Sequence, residues 1–164
     1  MKNLPDKIIV HHSADIDARD QADRINNYHK SRGFPLSSLG VYVGYHFLIN
    51  HDGEVTRTRN DDEEGAHCKG YNFDSLGICL EGDFNIELPT KLQEQALGML
   101  LAEKVKEYNI KASMIVPHRQ FAATSCYGTN LPDDWAMKCY FRYELNYMTK
   151  ILQWLSVLIS KWQQ

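Results

Sequence analysis

Two short runs of β-branched residues constrain the fold more than any other feature of this chain. Ile8 to Val10 and Ile115 to Val116 are too short for helices, and their side chains suit buried strands. His11 follows the first run directly, and His118 follows the second after one proline. The pattern therefore predicts two buried strands, each of which delivers a histidine to an end of a sheet.

Turn and cap signals predict the other elements. Asp52-Gly53 is typical of a tight hairpin turn, and Thr90 with Gln93 three residues later has the spacing of a helix capping box. We expect the helix after Thr90 to be long and amphipathic and to cover one face of the sheet. The remaining predicted elements are a helix at Asp20 to Arg32 and strands at Tyr45 to Asn50, Glu54 to Thr58 and Leu76 to Leu80.

A last helix is predicted beyond Trp135, and its apolar residues alternate at spacings of four and three, as in a heptad seam. A second apolar row widens this face. The helix could pack on its own domain, associate with a second copy or a protein partner, or lie on a membrane surface. The seam consists of Phe141, Leu145, Met148, Leu152, Leu155, Ile159 and Trp162, and the second row of Tyr147, Ile151, Trp154 and Leu158.

Length and charge narrow the classes of function. The chain has 164 residues, which suits one domain, and its 21 acidic and 18 basic side chains give no general affinity for nucleic acid. Charges interrupt the last helix, so no transmembrane segment is expected. No signal peptide is apparent, and the four scattered cysteines have no disulfide-framework spacing. We therefore expect synthesis in the cytoplasm with reduced cysteines.

His11, His118 and Cys126 form a candidate metal site. Imidazole nitrogen and thiolate sulfur are good zinc donors, and three protein ligands leave a fourth tetrahedral position for the water that a hydrolase needs. Seven histidines and four cysteines allow many accidental triplets, so their spacing alone does not establish a site.

The segments around these residues add a more specific signal. They are Ile8 to Ala14, Gly44 to Ile49, Gly65 to Asn72, Ser75 to Gly82 and Pro117 to Cys126. Together they resemble the zinc-dependent N-acetylmuramoyl-L-alanine amidases, a family that includes phage amidase-type lysozymes and peptidoglycan recognition proteins. The resemblance runs from about Lys7 to about Trp135 and is strongest to the phage lysozymes.

The resemblance implies an α/β fold with a single mixed central β-sheet flanked by helices, to which this chain adds the C-terminal amphipathic helix. It also implies one zinc ion per chain, bound by His11, His118 and Cys126. We accordingly divide the chain into a zinc amidase catalytic domain at 1–137 and a C-terminal helix at 138–164. That helix is expected to pack on the domain or to serve in association.

Two further residues take catalytic roles by the resemblance. Tyr45 occupies the position of the family's catalytic tyrosine, and Thr124 is its expected partner in stabilising an oxyanion. Phage lysozymes have a lysine at the position of Thr124, so a cation is missing here. Arg119 could compensate, although a solvated loop charge is the simpler interpretation. Cys79 replaces the glutamate of the wall-recycling branch, which argues against a glutamate general base.

His67, Lys69 and Asn72 belong to a loop that borders the substrate cleft in the family. The resemblance therefore implies that these residues bind substrate. For His67 a contact with substrate or with a reaction intermediate is expected. The alternative is a hydrogen bond to another site residue without a direct role.

The function implied by the resemblance is zinc-dependent hydrolysis of the amide bond between N-acetylmuramic acid and L-alanine in peptidoglycan, as a phage or prophage lysin. Such an enzyme would reach the wall after lysis, through a holin or by specialised delivery. The alternatives are a peptidoglycan-binding protein without metal, a regulator that inhibits a phage polymerase, and a thiol hydrolase built on Cys126 and His118. The presence of Cys126 argues against the first alternative.

Overall fold

The computed structural model describes residues 3–17 and 21–162, with the side chains of 160–162 left out. This part of the chain forms five strands and three α-helices, with short 3-10 turns at Ala112–Met114 and His118–Gln120. The strands are β1 (Lys7–His12), β2 (Phe47–Ile49), β3 (Val55–Arg57), β4 (Ser75–Leu80) and β5 (Ile115–Pro117); the helices are α1 (Gln21–Ser31), α2 (Lys91–Tyr108) and α3 (Trp135–Trp162).

The strands form one mixed sheet in the order β3-β2-β4-β1-β5. β1 pairs in parallel with both β4 and β5, β2 pairs in parallel with β4, and only the edge strand β3 runs antiparallel. The register matches Val10 with Pro117 and His11 with Cys79. The predicted single mixed sheet flanked by helices, with an added C-terminal helix, is confirmed.

The two faces of the sheet have different occupants because side chains alternate along each strand. Ile8 and Val10 point to the face that α2 covers, where they join Leu97 and Leu101 of that helix in the main core. Ile9, His11 and Cys79 point to the opposite face. The imidazole of His11 and the thiol of Cys79 therefore lie on the face of the sheet away from α2.

The long helix α2 begins at the predicted capping box. Thr90 Oγ1 accepts a hydrogen bond from the Gln93 backbone N–H, and the Gln93 side chain accepts from the Thr90 N–H. Gln93 Nε2 also donates to the carbonyl of Glu81 at 2.7 Å, so the start of the helix is tied to the end of β4. This contact positions α2 against the sheet.

Helix α3 changes its environment along its length. Its first turns pack against α2, where Ala136 and Cys139 are buried and a Cβ on Gly98 would lie 2.7 Å from the Cys139 carbonyl oxygen. Farther on the apolar seam is exposed, with Leu145 69%, Leu152 62% and Ile159 59% accessible. No helix within the described residues has the length and apolarity to cross a membrane.

Several predicted boundaries shift. The strand predicted at Tyr45 to Asn50 is confined to Phe47–Ile49, because Gly44 to His46 contact the 65–67 loop and β4 instead. α1 is described from Gln21, so the predicted start at Asp20 lies outside the described residues, as does the side chain of Trp162. α3 begins at Trp135, so the proposed domain boundary at 137/138 falls in its first turn.

Candidate metal centre

Two neighbouring parallel strands bring the predicted histidines together. Val10 of β1 pairs with Pro117 of β5, so the next residues, His11 and His118, emerge side by side at the carboxyl edge of the sheet. Their ring centroids are 4.5 Å apart. His11 is 1% exposed, whereas His118 is partly exposed, which leaves one side of the pair open.

Cys126 completes a group of three donors. One ligand atom from each of His11, His118 and Cys126 lies within 4.8 Å of the others, and this is the one such group found within residues 3–17 and 21–162. Cys126 Sγ is 3.7 Å from His11 Nδ1. Tetrahedral zinc with ordinary bond lengths would separate these two atoms by about 3.6 Å. The spacing and the chemistry of the donors therefore fit zinc.

The loop that carries Cys126 is held by Arg119. The guanidinium donates to the carbonyl oxygens of Gly128 and Leu131, each at 2.7 Å, and its Nε donates to the Asp133 carboxylate at 2.6 Å. The Arg119 backbone N–H also donates to the Cys126 carbonyl. Arg119 thus closes the loop and is not the solvated charge that the sequence suggested, and its guanidinium is engaged away from the donors.

Burial sets the protonation of the donors. It lowers the pKa of His11 well below the usual value, with His67 and His118 adding to the effect, and it lowers the pKa of His118. Both imidazoles are therefore neutral at pH 7, as metal ligation requires. Burial raises the pKa of the Cys126 thiol to about 12, although the backbone N–H of His12 donates to this sulfur. An activated nucleophile needs the opposite shift, which argues against the thiol hydrolase.

Tyr45 stands beside the donors, with its ring centroid 5.0 Å from that of His11. Burial, with the thiols of Cys79 and Cys126 nearby, raises the pKa of Tyr45 well above its usual value, so the hydroxyl keeps its proton. Thr124 is exposed at the mouth of the site, and its Oγ1 accepts a hydrogen bond from the Cys126 N–H at 3.2 Å. Each hydroxyl thus retains a proton that it can donate.

The structure separates the three predicted substrate residues. Asn72 Oδ1 accepts from the backbone N–H groups of His67 and Cys68, at 2.9 and 2.8 Å, and so shapes the loop. Lys69 at the tip of this loop is exposed. His67 turns inward, and its Nδ1 lies 3.1 Å from His11 Nε2.

Sequence reasoning missed the residues beneath His67. Ser75 Oγ lies 3.4 Å from His67 Nε2, and a Cβ on Gly77 would lie 2.5 Å from the His67 ring. A glycine inside a buried strand often marks a close approach of another group, and this signal was available in Leu76-Gly77-Ile78. Three of the four other histidines serve the fold: the Nδ1 atoms of His12, His29 and His46 each accept from a backbone N–H.

Comparison with known proteins agrees with this geometry. The sequence profile of the N-acetylmuramoyl-L-alanine amidase family matches residues 1–130. The chain belongs to this family.

Individual relatives include phage and animal proteins. The endolysin of Klebsiella phage KP32 is 35% identical over 135 residues, which is 79% of this chain and 84% of the endolysin. Peptidoglycan-recognition protein SC2 of Drosophila melanogaster is 34% identical over 75% of this chain and 68% of its own length. The solved structure of N-acetylmuramoyl-L-alanine amidase LysC from Clostridium intestinale has a TM-score of 0.69 at 34% identity, covering 79% of this chain and 80% of that protein.

Proposed function

We propose that this protein hydrolyses the amide bond between N-acetylmuramic acid and L-alanine of bacterial peptidoglycan. The observation that carries the proposal is the His11, His118 and Cys126 group, which lies open on one side within a chain of the amidase family. The relatives named endolysins and amidase support action on the cell wall in a phage or prophage setting. Muropeptides carry the same bond and are substrates of the same class.

The cofactor proposed is one Zn²⁺ per chain, held by His11, His118 and Cys126. Two imidazoles and one thiolate are a donor set that zinc prefers, and their mutual distances suit tetrahedral coordination. Bound zinc would supply Lewis acidity toward water and toward the scissile carbonyl. Cys126 must lose its proton to bind, so metal binding should release a proton from this thiol.

Tyr45 and Thr124 are the proposed catalytic residues. The Tyr45 hydroxyl stays protonated in its partly buried position and can donate a hydrogen bond to the oxyanion that forms when the amide carbonyl is attacked. Thr124 Oγ1 already accepts from the Cys126 N–H, so its own proton is directed elsewhere and can be a second donor. Two neutral donors then replace the cation that Arg119 cannot supply.

Lys69 and Asn72 are proposed to bind substrate at the rim of the cleft. Lys69 is exposed and can pair with a carboxylate of the stem peptide. Asn72 fixes the loop backbone through Oδ1, and its amide nitrogen can donate to substrate. His67 is assigned a different role in the next subsection.

The test of this function is release of L-alanine amino termini from purified peptidoglycan. The protein should be active as isolated, inactive after its metal is removed with a chelator, and active again once zinc is restored. Cys126→Ser should lose zinc and activity together, while Tyr45→Phe should keep zinc and lose roughly a hundredfold in turnover, as expected for an oxyanion donor. Bound zinc and intact folding without release of L-alanine would favour the peptidoglycan-binding alternative, which the similarity to recognition protein SC2 motivates.

We also propose that the catalytic domain extends to residue 137 and that the outer part of α3 associates with a second copy of the chain. The exposed seam from Phe141 to Ile159 is about 28 Å long and keeps the alternating spacing that suits a coiled coil. No charged residue occurs from Ile151 to Ser160, so this stretch of the helix has no basic residue that could pair with anionic lipid. A second copy presents the same apolar seam and would bury it.

Light scattering and sedimentation of the full chain test this association. Leu152→Glu places a charge in the seam and should convert a dimer to a monomer, whereas Gln153→Glu, on the polar side of the same turn, should leave the dimer intact. A wild-type protein that stays monomeric at about 100 μM, where a free energy of association of about −5.5 kcal/mol would suffice for dimers, would contradict the proposal. Cosedimentation of that monomer with anionic vesicles would favour the membrane alternative.

A further inference from the structure

We infer that His67 is a positioning residue that fixes the tautomer of His11. Ser75 and the Tyr71 carbonyl in turn determine which ring nitrogen of His67 carries the proton. His11 uses its two ring nitrogens differently. Nδ1 faces Cys126 Sγ at 3.7 Å, and Nε2 faces His67 Nδ1 at 3.1 Å. Metal can therefore be bound only through Nδ1, and Nε2 must carry the proton.

The chain of hydrogen bonds behind His11 ends at a group that can only accept. Ser75 Oγ donates to the Tyr71 carbonyl oxygen at 2.5 Å, which commits the hydroxyl proton. The Ser75 oxygen is then an acceptor for His67 Nε2–H, at the longer distance of 3.4 Å. A neutral imidazole protonated at Nε2 has a lone pair at Nδ1, so His67 accepts from His11 Nε2–H. Each hydrogen bond in this series is therefore donated away from His11, toward the Tyr71 carbonyl.

The surroundings of His67 form a slot for its ring. A Cβ on Gly65 or on Gly77 would approach the His67 ring to 2.5 Å, so any larger residue at either position would displace the imidazole. The loop backbone is fixed from the other side, because Asn72 Oδ1 accepts the N–H of His67. Ser75 at the base of the slot is 0% exposed.

Both ring nitrogens of His67 are engaged by protein atoms. Nδ1 meets His11 and Nε2 meets Ser75, so neither nitrogen is available to substrate. This argues for the supporting role over the substrate contact expected from the sequence. Ligating histidines commonly donate their second ring N–H to an acceptor that fixes tautomer and ring orientation. That acceptor here is itself a histidine, whose own tautomer is set by a serine.

The inference rests on the proposed metal function, but its test is read from the metal-free protein and from zinc affinity. Long-range ¹⁵N–¹H spectra of the metal-free wild type should show His11 and His67 both protonated at Nε2. His67→Phe keeps the ring but removes the acceptor, and zinc affinity measured by competition with a chelator should fall 10- to 100-fold. His67→Asn restores an acceptor oxygen near the Nδ1 position and should recover most of the loss.

Ser75→Ala provides an independent measurement, because it leaves the His11–His67 contact in place. The Nε2–H of His67 then has no acceptor, and the His67 tautomer ratio should shift toward Nδ1–H with a smaller loss of zinc affinity. Protonation of wild-type His11 at Nδ1, or unchanged zinc affinity and tautomer in folded His67→Phe, would overturn the inference. An inactive protein with the expected spectra and affinities would instead count against the proposed amidase function alone.

Discussion

Gly77→Ala should weaken zinc binding although residue 77 touches no donor atom. The added methyl would lie 2.5, 2.6 and 2.8 Å from three atoms of the His67 ring. Ordinary carbon contacts are about 3.5 Å or longer. β4 lies between β1 and β2 and is hydrogen-bonded to both, so the ring rather than the strand should move.

The size of the effect follows from these distances. Relieving the overlap moves the imidazole by about 1 Å, which stretches the contact of its Nδ1 with His11 Nε2 from 3.1 Å to a separation at which the hydrogen bond is lost. Loss of such a supporting contact reduces metal affinity by roughly 10- to 100-fold. Overpacking at a buried position should also lower the free energy of unfolding by about 1–3 kcal/mol.

Zinc affinity by chelator competition and urea unfolding of the metal-free protein should be measured on the same samples. Gly98→Ala is the matched control, since its methyl would lie 2.7 Å from the Cys139 carbonyl at the α2–α3 contact. It should be destabilised to a similar degree with zinc affinity unchanged. Affinity of Gly77→Ala within twofold of wild type would refute the reasoning.

Three further predictions concern stability. The buried His46 has a pKa lowered to about 4, chiefly by burial. As the pH falls below 6.5, the unfolded chain therefore binds this proton before the folded chain does, and His46 should account for about 2 kcal/mol of the stability lost between pH 7.5 and pH 5. The free energy of unfolding of His46→Gln, measured in urea, should depend less steeply on pH than that of the wild type, and an equal dependence would contradict this. Lys104 is 1% exposed, and its Nζ lies 2.8 Å from the Asp61 carboxylate, which Arg57 also contacts at 2.7 Å. Because Arg57 still pairs with Asp61 after the change, Lys104→Met should lower the free energy of unfolding by about 1–3 kcal/mol. An unchanged free energy of unfolding in urea would show that the Lys104–Asp61 pair is dispensable. Truncation after Met148 should leave a folded and active enzyme. Truncation after Met137 removes the buried Cys139 and should lower the midpoint of thermal unfolding. Equal midpoints for the two truncated proteins would show that α3 contributes nothing to the core.

Much of the fold could be predicted because local signals agreed with the tertiary structure. The β-branched runs became β1 and β5, and the Thr90 capping box marks the start of α2. The strand predicted to begin at Tyr45 failed at its start because Gly44 and His46 pair with Ala66 and Gly77 instead. Such long-range pairings leave no local trace in the sequence.

The candidate site divides in the same way. The donor residues stand in recognisable segments, and strand pairing brings two of them together. The role of Arg119 could not be predicted, because its hydrogen-bond partners belong to a loop whose path is not encoded by periodicity. His67 was placed near the cleft, but the orientation of its ring depends on Gly65 and Gly77, which sit on different elements.

The separation of the two faces of the sheet matters for an enzyme whose substrate is a solid layer. The His11 ring lies on the face away from α2, as does Cys79 in register with it, whereas α3 packs against α2 on the other face. A molecule that binds the outer part of α3 would approach from the α2 side of the sheet. The opposite face, which carries His11, would stay free to lie against a cell wall many times larger than the enzyme. In a dimer joined through α3, each copy would engage a different peptidoglycan strand of the same wall. Dissociation of substrate from one cleft would then not detach the dimer from the wall.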